Sequence, residues 1–215
     1  MHIEVLVEDS SGRALLAHVL PKILGPQNEP HTYQVHAYKG VGHIPKGLTG
    51  KVDVQKRVLL DSLPRLLAGY AKTPGIDAVV VILDVDKRDC VALLSELKAL
   101  AARAGAPNTL FRLAVEEIEA WYLGDRAAVL AAYPSGKKKV LDGYKQDSVC
   151  GTWELLADAV HPGGAAACRA SGGMRPGDLK HEWATTIGPR LVVERNRSTS
   201  FKKLREGLTR LVAGT

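Results

Sequence analysis

The segment Ala78-Val79-Val80-Val81-Ile82-Leu83-Asp84-Val85-Asp86 decides the fold class. Its apolar run, mostly β-branched, reads as a strand buried on both faces, as in a parallel sheet covered by helices on either side. The run stops at the acidic turn Asp84-Val85-Asp86-Lys87-Arg88-Asp89. Asp89 is placed to cap a helix with Leu93, Leu94, Leu97, Leu100 and Ala101 on one face and Gly105 at its end.

Upstream, Ile3 to Val7 is a shorter strand of the same kind, broken by Glu8-Asp9-Ser10-Ser11-Gly12. Leu15, Leu16, Val19, Leu20 and Ile23 then recur at helical spacing until Gly25-Pro26, with Asp9 as the cap. Tyr33 to Tyr38 alternates weakly as a further strand, and a Gly- and Lys-rich loop runs from Lys39 to Lys51. Asp53 starts a helix carrying Val54, Val58, Leu59, Leu66 and Leu67, which Pro64 is expected to kink or split. Thr109 to Val115 is the fourth strand and leads into Glu116-Glu117-Ile118-Glu119-Ala120-Trp121. Strands joined by helices imply an α/β, Rossmann-like, four-stranded and mainly parallel sheet with right-handed crossovers.

Beyond Asp125 the pattern is helical, with no strand. Thr152 is placed to cap a short helix to Val160, and 165–177, small and Gly-rich, reads as mobile. The last helix starts at Ser198 or Ser200 and carries Phe201, Leu204, Leu208 and Leu211 on one face. The expected organisation is a core over 1–124 and a mostly helical lobe over 125–215 packed on it.

Composition narrows the class. The 215 residues suit one sizeable core, and 46% hydrophobic with 24% charged residues excludes wholesale disorder. No apolar run reaches the ~18 residues of a membrane span, and the first residues do not read as a secretory signal. Three cysteines, Cys90, Cys150 and Cys168, without C-x-x-C spacing, fit a reducing cytoplasm better than a disulfide framework or zinc ribbon. Lys and Arg number 29 against 23 Asp and Glu, a net charge of +6, which favours polyanionic partners without specifying any chemistry.

All strands of a parallel sheet open on one edge, where ligands bind. Glu8 ends the first strand, Asp84 and Asp86 end the third, and Glu116 and Glu119 follow the fourth. Taken singly, such residues are more often caps or solvated loop positions. Together they bring five carboxylates to one edge, where two like charges at 4 Å repel by roughly 4 kcal/mol at an effective dielectric of 20. An all-oxygen set of this kind suits Mg²⁺ or Mn²⁺ rather than zinc. Such a cation serves phosphate chemistry.

Glu8 after the first strand and Asp84-Val85-Asp86 after the third resemble the Toprim domain of topoisomerases, primases and overcoming-lysogenization-defect nucleases. The remainder resembles a small Toprim-like family of unassigned function (domain of unknown function 4276). That likeness is carried by Val7-Glu8, Glu116 to Trp121, Lys180-His181-Glu182-Trp183, and Asn196-Arg197-Ser198 with Ser200-Phe201. Toprim domains place Gly directly after the Glu, where this chain has Asp9. The resemblance implies a Toprim-like fold and metal-dependent chemistry at phosphodiesters. Asp84 and Asp86 would hold Mg²⁺, with Glu8 as acid, base or further ligand. A tyrosine nucleophile domain and a nucleotide site are not recognisable, so a nuclease using water is the simplest expectation, on DNA or RNA. Members of the family are often encoded near ATPases implicated in phage defence, which implies an ATPase partner. The alternative is a degenerate Toprim-like subunit that binds nucleic acid or the ATPase without cleaving.

Other motifs are weaker. Gly40 to Lys51 invites a phosphate-loop reading, but Pro45 stands where a Gly is required and Val52 where Ser or Thr is. As a basic loop it offers Lys39, Lys46 and Lys51 to phosphates, and a solvated connector accounts for it equally well. Arg195, Arg197, Lys202 and Lys203 are candidate backbone contacts for nucleic acid, against the commoner reading of a solvated helix face. Trp121 and Trp183 read as packing residues, and His43 as an exposed loop histidine. A haloacid-dehalogenase-like phosphatase would carry its D-x-D after the first strand, not the third.

Overall fold

A computed structural model describes residues 1–44, 58–86, 88–148, 151–170 and 176–214. The chain opens with β1 (His2–Val7), α1 (Ser10–Leu24), β2 (Thr32–Ala37), α2 (Leu59–Tyr70), β3 (Ala78–Asp84), α3 (Cys90–Arg103) and β4 (Thr109–Ala114). Seven helices follow: α4 (Glu119–Leu123), α5 (Arg126–Ala132), α6 (Lys138–Gly143), α7 (Thr152–Val160), α8 (Gly164–Arg169), α9 (Pro176–Ile187) and α10 (Thr199–Ala213). Among the described residues no strand follows β4.

The four strands form one sheet in the order β2-β1-β3-β4, every pair parallel. Val5 lies beside Val35 on one side and Val80 on the other, and Val81 lies beside Phe111. An α/β architecture with helices on both faces follows, consistent with a Rossmann-like fold. Strand alternation divides the core. Ile3, Val5, Val7, Val80 and Ile82 face α1, α9, α10 and the helices after Asp125, whereas Leu6, Val79, Val81 and Leu83 face α2 and α3. Ala78 to Leu83 is buried along its whole length, as its unbroken apolar run requires.

Asp9, Asp89 and Ser198 cap α1, α3 and α10, accepting from the Gly12, Ala92 and Phe201 N–H groups. Three local expectations are corrected. α2 runs through Pro64 without splitting, its Leu59, Leu60, Leu63 and Leu67 stripe packed on the sheet. Asp53 and Val54, expected in that helix, lie outside the described residues. The small-residue stretch beginning at Ala165 is partly helical, as α8 over Gly164–Arg169, because Ala165 and Cys168 join the core. Thr152 begins α7 instead of capping it. The cap comes from Glu116, far off in sequence, whose carboxylate accepts from the Gly151 N–H and, at 2.8 Å, from the Thr152 N–H.

Candidate active site

Because β1, β3 and β4 are consecutive in the sheet, the segments leaving their C-terminal ends meet. Glu8 follows β1, Asp84 is the last residue of β3, and Glu119 is the first of α4, one short turn beyond β4. The turns are stitched together by backbone hydrogen bonds: Val85 N–H to Ala114 C=O at 3.1 Å, and Asp86 N–H to Glu116 C=O at 2.9 Å. Asp86 (φ 53°) and Glu116 (φ 62°) both occupy the left-handed region. Non-glycine residues there cost on the order of 1 kcal/mol or more, and such strain clusters at functional sites.

Three carboxylates form the centre. Glu119 is 2% exposed, and Glu8 and Asp84 are half-buried. Burial, followed by the charges of Asp86 and Asp9, pushes Glu8 up to about 7, against the pull of a hydrogen bond from the Asp84 backbone. Burial, then Glu119 and Glu8, holds Asp84 well above the usual carboxylate range. Burial takes Glu119 to about 7, with Lys180 opposing and Glu117 reinforcing the rise. Each of the three has a buried oxygen with no hydrogen-bond partner: Glu8 Oε2, Asp84 Oδ1 and Glu119 Oε2. Such a group costs ~1–3 kcal/mol or more, and half of the six orphaned side-chain atoms found among the described residues lie here.

Among the described residues, one lysine enters this cluster. Lys180, from α9, places Nζ 2.9 Å from Glu117 Oε1 and 3.4 Å from Glu119 Oε2. The second contact is an ion pair without hydrogen-bond geometry, which is why Glu119 Oε2 stays orphaned. Burial alone would lower the Lys180 ammonium, but Glu119, Glu117 and Asp84 outweigh it and hold it above its ordinary value. In the sequence Lys180 stands only within Lys180-His181-Glu182-Trp183, and no spacing rule connects it to Asp84. Arg88, in the turn after β3, carries no sequence signal for its role either. It braces the β3 turn, donating to the Asp84 C=O at 2.8 Å and the Val85 C=O at 3.2 Å.

The other sequence candidates separate from this centre to differing degrees. Asp86 is exposed, with Arg88 3.9 Å away, and its charge reaches Glu8. Two residues apart in an extended strand, Asp84 and Asp86 would point the same way, but the left-handed backbone of Asp86 breaks that alternation. Both Glu116 oxygens are engaged by the start of α7. Lys39 is exposed at the end of β2 on the same edge. Lys46 and Lys51 lie outside the described residues. Arg195 is held in a two-point ion pair with the buried Asp125, at 2.9 and 3.0 Å. Arg197, Lys202 and Lys203 are exposed around the start of α10.

Among the described residues, no group of three or more His, Cys, Asp or Glu side chains already stands in metal-holding geometry. The orphaned oxygens of Glu8, Asp84 and Glu119 nevertheless fit a hard divalent cation in donor type and in unmet demand. Among the same residues no helix is long and apolar enough to cross a membrane.

Fold and site thus define an α/β protein with a parallel sheet and a buried, partly neutralised carboxylate cluster at the strands' C-terminal edge. Compared with family models, curated proteins and solved structures, the chain matches none.

Proposed function

We propose that the protein is a Mg²⁺- or Mn²⁺-dependent phosphodiesterase that cleaves nucleic acid, with a Toprim-like site. The observation carrying this reading is the set of three orphaned carboxylate oxygens on one sheet edge. Asp84 and Glu119 would hold the cation, with Glu8 beside them and Asp86 at the rim. When bound, such a cation polarises a phosphoryl oxygen and acidifies a coordinated water. Glu8, shifted to about 7, is suited to take a proton from the attacking water on Oε2 and return one to the leaving oxygen near neutral pH. Lys180 sets a fixed positive charge beside the reacting phosphate, and Lys39 faces the flanking backbone. An ATPase partner and a role in phage defence or a toxin-like system rest on family resemblance alone.

A second reading also has an observation behind it. Lys180 already compensates part of the cluster, as expected of a degenerate subunit that binds nucleic acid or an ATPase without cleaving.

The deciding experiment incubates purified protein, alone and with a neighbouring ATPase, with supercoiled DNA, single-stranded DNA and tRNA in Mn²⁺. Cleavage abolished by Glu8→Gln and by Asp84→Asn is the expected result. Cleavage that survives both substitutions overturns the site. Substrate binding without cleavage under every condition selects the second reading.

A further inference from the structure

Beside the carboxylates lies a cleft of about 490 Å³, between the segment leaving β2 and the start of α9. Its size falls within the roughly 300–1,000 Å³ of small-ligand sites. Tyr38, Lys39 and Gly40 form one wall, and Asp178 and His181 the other, with Ser10 at the base of α1. We infer that this cleft seats one unpaired nucleotide next to the scissile phosphate, so that the substrate is a single strand; this rests on the phosphodiesterase reading above.

The first support is position. The Tyr38 N–H donates to the Val7 C=O at 3.0 Å, and the Gly40 N–H donates to the Glu8 C=O at 3.1 Å. One wall is therefore fastened directly to the residue that follows β1. The opposite wall belongs to α9, whose Lys180 reaches the carboxylates from the position before His181. Both walls of the cleft are thus continuous with the segments that carry Glu8 and Lys180.

The second support is chemistry. Tyr38 is half-buried, packed against the α2 side of the core, and still lines the cleft. Its ring is thus a supported platform for a base, and base stacking is worth ~1–3 kcal/mol without regard to sequence. Lys39, exposed on the same wall, meets the phosphate. His181, on the opposite wall, brings a polar ring to the edge of a base held there. Asp9 also borders the cleft, but its carboxylate accepts from the Gly12 N–H at 2.7 Å and the Ser11 hydroxyl at 2.8 Å. A base stacked within a duplex has no free face for Tyr38, which is why the cleft selects an unpaired nucleotide.

The test uses the full chain carrying Glu8→Gln, which leaves the cleft intact, and labelled single-stranded DNA or RNA of about ten nucleotides, followed by fluorescence anisotropy. Tyr38→Leu, which preserves apolar packing, should weaken binding about tenfold, whereas Tyr38→Phe should not. Lys39→Ala should reduce the salt dependence of log K by about 0.7, one phosphate's worth on a single strand. A duplex of the same sequence should bind at least tenfold more weakly. Unchanged binding in Tyr38→Leu and Lys39→Ala, equal affinity for duplex, or an absence of binding would each overturn the inference. Cleft-dependent binding by a wild-type protein that never cleaves would instead sustain the cleft and sink the phosphodiesterase reading.

Discussion

At the scale of single residues, the carboxylate cluster is a place where folding works against solvation. Glu8 and Glu119 sit near 7 in the folded protein against an ordinary 4.5. Between those values the folded state binds more protons than the unfolded state, so stability is greatest below about 4.5 and is lost as pH rises through 7. Metal-free protein should therefore melt lower at pH 8 than at pH 5.5 through these groups. Glu119→Gln should flatten that slope in a thermal melt series, and a slope unchanged by the substitution would place the titrating groups elsewhere. A divalent cation held by these carboxylates would reverse the balance. At about 100 times its Kd, Mn²⁺ should stabilise the wild type at pH 8 by roughly 2.7 kcal/mol, an increment that Asp84→Ala with Glu8→Ala should erase. The acidic side of this cluster was legible in the sequence, because strand ends in a parallel sheet share an edge and the β3 run is unmistakable. Lys180 was not. Its place depends on how α9 packs across the sheet, and nothing in the pattern of a helix states which strand end its lysine will reach.

At the scale of elements, the C-terminal helices are tied to the sheet by two glutamates that follow β4, of which the sequence presents Glu116 as a possible ligand. Glu116 holds the start of α7. Glu117 accepts from the Trp153 N–H at 3.2 Å and from the Thr152 hydroxyl at 3.3 Å while pairing with Lys180. A run such as Glu116-Glu117-Ile118-Glu119 therefore divides its labour: the first pair anchors α7, and Glu119 turns into the cluster. Sequence alone could not make that division, because the caps are satisfied across long chain separations and the left-handed Glu116 backbone redirects the turn. Caps of this kind are worth ~0.5–2 kcal/mol. Glu116→Ala should thus lower stability by about 1–2 kcal/mol in urea unfolding at constant m-value. It should leave the Mn²⁺-induced shift intact, and loss of that shift would make Glu116 a ligand after all.

At the scale of the molecule, the described residues of the helices after Asp125 share the core of the sheet instead of forming a separate one. One apolar cluster runs from Ile3, Val5 and Val7 of β1 through Leu15, Leu16 and Val19 of α1 to Trp183 and Ile187 of α9 and Phe201, Leu204 and Leu208 of α10. Phe201 is fully buried and meets the Trp121 ring edge-on, with centroids 5.6 Å apart and planes at 74°. The Trp121 indole N–H donates to the Ser200 hydroxyl at 2.9 Å, and the Asn196 amide donates to the Trp121 C=O at 2.7 Å. Gly124 lies so close to Asn196 that an added Cβ would stand 2.1 Å from its Oδ1. The chain leaving α4 and the chain entering α10 are therefore locked side by side. Removing a buried phenyl ring typically costs ~3–5 kcal/mol, a large share of the ~5–15 kcal/mol that holds a whole protein folded. Phe201→Ala should accordingly lower the melting of the entire chain in one cooperative step. Truncation before Arg195, which also strips Leu204 and Leu208 from the cluster, should abolish cooperative unfolding and expose the β1 and α1 surface to hydrophobic dyes. A truncated protein that melted as sharply and as high as the intact one would show that the sheet and its first helices are self-sufficient, and that α10 lies on a surface already closed.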